Sequence, residues 1–147
     1  EILVCDSKQH RVYTRFFKFL KYFFCIFTSD NNKITSNCSF VGGGICNTAS
    51  GECAFVGAGG GNRASQPFSF VGGGRNNCVC GNHSGAVVGG SANTVSGYYS
   101  FIGGGYNNRI SGNTSTIVGG CCNVVIGHRN TVNGGGYNIA CVTGPNP

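Results

Sequence analysis

From Ser39 onward the chain repeats one short unit, and that repeat restricts the fold more than anything else in it. The run Ser39-Phe40-Val41-Gly42-Gly43-Gly44-Ile45-Cys46-Asn47-Thr48-Ala49-Ser50-Gly51 recurs with small changes as far as Gly144. With Ser39 as position 1, units begin at Ser39, Ala54, Ser69, Gly85, Ser100, Ser115 and Asn130, a period of 15 residues with one unit of 16. Self-similarity at a short fixed period is the signature of a solenoid, in which each unit buries its apolar face only by stacking on its neighbours.

Reading down each position fixes the register. Position 9 is always asparagine: Asn47, Asn62, Asn77, Asn93, Asn108, Asn123 and Asn138. Position 3 is always Val or Ile (Val41, Val56, Val71, Val87, Ile102, Ile117, Val132), and position 11 is always small or β-branched (Ala49, Ala64, Val79, Val95, Ile110, Val125, Ala140). Position 6 is always glycine, from Gly44 to Gly135. Extended backwards, the register gives a degenerate eighth unit over residues 24–38, with Ile26, Asn32 and Ile34 on positions 3, 9 and 11. The predicted fold is therefore all-β, a β-solenoid of about eight coils over 24–147. Each coil has two short strands, at positions 1–4 and 10–12, with positions 3 and 11 inward and glycine at the corners.

Asparagine at one corner in every coil predicts a structural ladder of Asn32, Asn47, Asn62, Asn77, Asn93, Asn108, Asn123 and Asn138, whose amides bond from rung to rung. Position 2 carries Phe40, Phe55, Phe70 and Phe101, with Ala86, Thr116 and Thr131 in the other units. Strand neighbours of an inward residue point outward, so these rings form an exposed apolar column that another copy of the chain is expected to cover.

Residues 1–23 lie outside the register and differ in kind. The stretch Phe16-Phe17-Lys18-Phe19-Leu20-Lys21-Tyr22-Phe23-Phe24 is aromatic and basic, and Arg11, Arg15, Lys18 and Lys21 fit one helical face. It reads either as an anchor to a membrane surface or partner, or as a cap on the first coil, and its apolar run is too short for a span. The chain contains no methionine, so the translation start is expected elsewhere.

Several functions are disfavoured. The acids are Glu1, Asp6, Asp30 and Glu52, and the histidines are His10, His83 and His128; they offer no acid/base pair or triad, so no enzyme is expected. The Gly57-Ala58-Gly59-Gly60-Gly61 run lacks the Gly-Lys-Ser/Thr of a phosphate loop, and the units lack the aspartates of calcium-binding repeats. The net charge is +6, but only Arg63, Arg75, Arg109 and Arg129 lie within the repeats, scattered, so no nucleic-acid groove is expected. Thr48, Thr94, Thr116 and Thr131 do not fill one column, which counts against an ice-binding array. Of the ten cysteines, Cys38 and Cys53 share a coil position one period apart and are expected to stack. Cys46, Cys78, Cys80, Cys121, Cys122 and Cys141 show no CxxC or Cys/His zinc spacing and read as small core or surface residues, so no metal or cofactor is expected.

The unit start in Ser115-Thr116-Ile117-Val118-Gly119, and the small apolar residue followed by glycine in Val95-Ser96-Gly97, resemble the head repeats of trimeric autotransporter adhesins and the similar β-roll repeats of phage and viral fibres. The resemblance covers about residues 24–144. It implies a left-handed parallel β-roll, a side-by-side homotrimer, and a structural or adhesive fibre or head domain on a virion or cell-surface appendage. It further implies a host-surface glycan or receptor as partner, or a capsid or filament partner bound through residues 1–23. A purely structural filament subunit or spacer is the alternative. The period of 15 and the abundant cysteine depart from the adhesin pattern, and the cysteine favours assembly in a reducing compartment, as for a virion component.

Overall fold

The computed structural model describes residues 3–4, 31–81 and 84–141. The basic aromatic segment, Ile26, His10 and His83 lie outside the described residues. The chain winds into an all-β parallel solenoid of about seven coils, with no helix among the described residues. One sheet stacks Phe40–Val41, Phe55–Val56, Phe70–Val71, Ala86–Val87, Phe101–Ile102, Thr116–Ile117 and Thr131–Val132. The other stacks Lys33–Ile34, Thr48–Ala49, Arg63–Ala64, Cys78–Val79, Thr94–Val95, Arg109–Ile110, Val124–Val125 and Ile139–Ala140. Equivalent residues of successive repeats face one another, as in Val41 with Val56 and Ala49 with Ala64. The longer unit is absorbed between the sheets' regular rungs, so that Val71 still meets Val87 and Val79 still meets Val95. Leu3–Val4 adds one antiparallel strand on the outer edge of Lys33–Ile34.

The strands are shorter than the sequence suggests, only two residues each, and a third line of bridges runs through position 7, joining Ile45, Gly60, Arg75, Ser91, Tyr106, Cys121 and Gly136. The interior is narrow. It consists of the position 3 residues Val41 to Val132 and the position 11 residues Ala49 to Val125, with Ile34 and Ala54. The strict Val/Ile and Ala/Val/Ile usage at these positions follows from that width, since the two sheets leave room for one branched or small side chain per strand.

Polar side chains complete the interior at the corner. Asn32, Asn47, Asn62, Asn77, Asn93, Asn108 and Asn123 are buried, and Asn138 in the last coil is exposed. Each amide works in two directions. The Oδ1 of Asn47 accepts the backbone N–H of Asn62 at 3.0 Å, while its Nδ2 donates to the carbonyls of Gly43 at 2.9 Å and of Gly59, one coil on, at 2.8 Å. The same three bonds recur at Asn77, donated by Asn93 N–H at 3.0 Å and accepted by Gly73 and Gly90, both at 2.9 Å. Direct amide-to-amide bonds are secondary and occur at Asn93 to Asn77, Asn123 to Asn108 and Asn138 to Asn123. The asparagines thus satisfy an inward N–H and an own-coil carbonyl at the corner, and add a second bond to the next coil's carbonyl, which also accepts a backbone N–H, as Gly59 does from Ile45 at 2.8 Å.

The glycines divide by cause. At position 6 the backbone is left-handed, with φ of +86° at Gly74 and +90° at Gly105. A Cβ there would also sit 2.8 Å from the Nδ2 of Asn77 or Asn108, so glycine is required by both conformation and space. At position 13, by contrast, φ is ordinary and the obstacle is stacking: a Cβ on Gly51, Gly97 or Gly112 would overlap the carbonyl of the next rung. Two further corners are left-handed with little use of glycine, which the sequence does not suggest. Positions 8 and 15 are left-handed in nearly every coil yet carry side chains, including Cys38, Cys53, Phe68, Asn76, Tyr99, Asn107 and Thr114. A left-handed β-branched residue is strained, and Thr114 holds φ of +55° with its side chain exposed.

Two substitutions test these assignments. Asn77→Ala or Asn108→Ala removes one acceptor and two donors from buried partners, and each is expected to lower unfolding free energy by about 1–3 kcal/mol in chemical denaturation. Thr114→Gly is expected to raise stability by about 1 kcal/mol, because relief of left-handed strain exceeds the added entropy of the unfolded chain. Asn107→Gly at the equivalent kind of corner should change little, since asparagine tolerates that conformation.

Candidate assembly face and thiol pairs

Two arrangements of outward side chains are ordered along the coil, whereas Ile45, Phe68, Tyr99, Ile126 and Ile139 are also exposed outside them. The first is the outer face of the Phe40-to-Thr131 sheet. Phe40 and Phe55 stack with ring centroids 5.0 Å apart and 11° between planes, and Phe55 and Phe70 with 5.1 Å and 4°. Phe40 and Phe55 are half-buried, while Phe70 and Phe101 are each 39% exposed. Ala86 stands between Phe70 and Phe101, so Phe101 is one rung removed from the stack.

The half-burial has a local source that the position 2 column alone did not reveal. Position 4 lies on the same face two residues on, and it is glycine wherever position 2 is phenylalanine: Gly42, Gly57, Gly72 and Gly103. The ring edges lie over these glycines, since a Cβ on Gly42 would come 3.1 Å from the Phe40 ring and one on Gly72 3.3 Å from that of Phe70. Where position 2 is small, position 4 is valine instead: Ala86 is followed by Val88 and Thr116 by Val118, exposed by 48% and 52%. Each rung from Phe40 to Val118 therefore presents one apolar group, either a phenyl over glycine or a valine beside a small residue. The last rung, Thr131 with Asn133, ends the strip.

The opposite sheet turns Lys33, Thr48, Arg63, Cys78, Thr94, Arg109, Val124 and Ile139 outward. Thr48 and Thr94 thus lie on one sheet and Thr116 and Thr131 on the other. Arg63 and Arg109 share a face but are separated by the Cys78 and Thr94 rungs, and Arg63 is engaged locally, its Nε donating to Ser65 Oγ at 2.6 Å.

The second arrangement concerns cysteine, which is brought together more than its spacing suggests. Six of the eight described free cysteines lie in pairs, whereas Cys46 and Cys141 stand singly on the surface. Cys38 and Cys53 occupy the same left-handed corner on neighbouring rungs, with Cys53 N–H donating to the Asn37 carbonyl at 2.9 Å. Desolvation and the adjacent Cys38 sulfur push the Cys53 thiol up. Cys78 opens the Cys78–Val79 strand and Cys80 directly follows it, so the two flank inward Val79 and share the outer side. The Cys78 S–H donated to Cys80, with the Arg63 and Arg109 guanidiniums nearby, pulls the Cys80 thiol down to about 7 against the opposing effect of burial. The same bond pushes Cys78 up. Cys121 and Cys122 are adjacent in sequence, and their sulfurs lie 2.9 Å apart. The hydrogen bond from Cys121 lowers Cys122 and raises Cys121, and Asn107 and Tyr137 on the flanking rungs lower Cys122 further. The stacking of Cys38 and Cys53 follows from their shared coil position, but reading Cys78, Cys80, Cys121 and Cys122 as small core or surface residues missed their pairing, because it depends on which side chains the backbone turns together.

A pH test separates the thiols. Iodoacetamide should alkylate Cys80 at a rate that rises through about pH 7 and then levels, while Cys78 stays slow throughout, as peptide mapping of timed samples will show. The comparisons with known proteins supply no precedent for either arrangement: no family model matches the chain, and no curated protein matches it.

Proposed function

We propose that this chain is a structural segment of a fibre or head, built as a left-handed roll of 15-residue coils and assembled side by side as a homotrimer through Phe40, Phe55, Phe70 and Phe101. Virion or extracellular cell-surface placement accompanies this reading. The observation that supports it best is the unbroken apolar strip on one sheet, which spans the rungs from Phe40 to Val118. Scattered exposed apolar residues are normal, but a contiguous strip of this kind marks an interaction surface. Uniform coils without long irregular loops suit a rod better than a recognition module.

The energetics favour a broad interface over a few anchors. The rings already lie on glycines and on one another, so covering the remaining area of four phenylalanines contributes roughly 2–5 kcal/mol per chain. Association costs at least about 4 kcal/mol. Val88 and Val118 and the backbone between the rings must therefore take part, and a closed three-fold ring, which covers the strip in every chain, allows that.

Light scattering tests the assembly. The unmodified protein is expected at the mass of three chains, and Phe70→Asp with Phe101→Asp at the mass of one, with melting retained. A folded unmodified monomer, or a variant that remains trimeric, would refute the interface.

A further inference from the structure

We infer that Cys121 and Cys122 form a two-sulfur clasp for a soft, low-coordinate cation of the monovalent copper type. The site is built by the backbone. Adjacent residues in an extended strand point to opposite faces, and two neighbouring cysteines in a strand would be kept apart. Cys122 instead takes the left-handed conformation, with φ of +60°, directly after Cys121, which sits in the line of position 7 bridges between Tyr106 and Gly136. This turn cancels the alternation and brings the two sulfurs to 2.9 Å on one side of the coil.

The surroundings suit a thiolate clasp. Both residues are half-buried at the surface, so the sulfurs are reachable from solvent. On the rung before, Asn107 Nδ2 donates to Cys122 Sγ at 3.9 Å, and Tyr137 occupies the equivalent corner on the rung after. Gly136, the bridge partner of Cys121 on the next rung, carries no side chain to close that approach. Metal–thiolate bonds are about 2.3 Å and a two-coordinate copper(I) ion prefers a near-linear arrangement, so on binding the sulfurs must part from 2.9 Å to about twice the bond length by rotation of the two side chains.

The donor set selects the ion. Among the described residues no group of three or more Cys, His, Asp or Glu gathers anywhere. Structural zinc takes four such ligands, so two sulfurs leave it half-coordinated. Thiolates select soft ions, and monovalent copper accepts two sulfurs alone. In the binding step each thiol loses its proton, two metal–sulfur bonds form, two protons pass to solvent, and neither sulfur nor copper changes oxidation state.

The test is anaerobic titration of the reduced protein with monovalent copper against a chromophoric copper(I) chelator, followed by iodoacetamide and peptide mapping. Copper at one equivalent should protect Cys121 and Cys122 from alkylation, and Cys121→Ser with Cys122→Ser should bind one copper fewer. Cys46→Ser with Cys141→Ser should bind as the unmodified protein does. Protection that falls on Cys78 and Cys80 or on Cys38 and Cys53 instead would overturn the assignment, and this mapping needs no variant to fold. Equal stoichiometry in the folded double variant, or displacement of the copper by equimolar zinc, would overturn it as well.

Discussion

The buried asparagine column is the interaction on which the rest of the coil depends. A solenoid with strands of two residues leaves most of its backbone in corners, where rung-to-rung bonds such as Ile45 N–H to Gly59 pair some groups and leave other inward-facing ones without a ladder partner. An unpaired buried amide or carbonyl costs about 1–3 kcal/mol, and the corner repeats in every coil. Asparagine resolves this because its short side chain carries an acceptor and two donors. In Asn47 the acceptor takes the N–H of Asn62, and the donors reach Gly43 and Gly59. Each side chain therefore bonds within its own coil and to the next, so the column both closes the corner and sets the stacking distance. At the opposite corner serine does part of the same work. Ser39, Ser100 and Ser115 donate to the carbonyls of Gly51, Gly112 and Gly127, and the Oγ of Ser100 and Ser115 accept N–H groups from the rung that follows.

The glycines follow from that column. The residue three before each asparagine must turn left-handed and must leave room for the amide, which explains why position 6 admits nothing else. Elsewhere the demand is weaker and different. Gly104 and Gly119 face open space, and their position tolerates Ala58 in another coil. The left-handed corners at positions 8 and 15 accept cysteine, tyrosine and threonine, because the stacked rungs on either side hold the conformation against its local cost.

Register and interior were legible in the sequence because they depend on one-dimensional periodicity: Val41, Val56 and Val71 recur at the spacing that stacks them, and nothing but stacking explains it. The bridges at position 7 were not legible, since that position carries Ile45, Gly60, Arg75 and Cys121 without common chemistry and pairs through backbone alone. Nor were the Cys78–Cys80 and Cys121–Cys122 pairs, unlike Cys38 with Cys53, which one period separates. Cys121 and Cys122 converge only because Cys122 is left-handed, and nothing in a Cys-Cys dipeptide announces that φ. The ladder's bonding was legible in outline but not in detail, because the dominant partners are backbone groups of glycines and asparagines, not neighbouring amides.

The apolar strip carries a different kind of information from the core. Valine at position 3 is explained from within, by the width of the interior. Val88 and Val118 have no such explanation: both point away from the core, and the equivalent residues in the phenylalanine coils are glycines that the rings overlie. The interior does not call for valine at 88 and 118, and in a lone coil an exposed valine gains only the stiffer backbone that glycine lacks. Yet the substitution occurs in the two rungs where Ala86 and Thr116 would otherwise leave a gap in the strip. Compensation between positions 2 and 4 keeps the bulk of the outer surface even while the inner surface is indifferent to it. Compensation of that form is what the proposed neighbouring chain would impose from outside the coil.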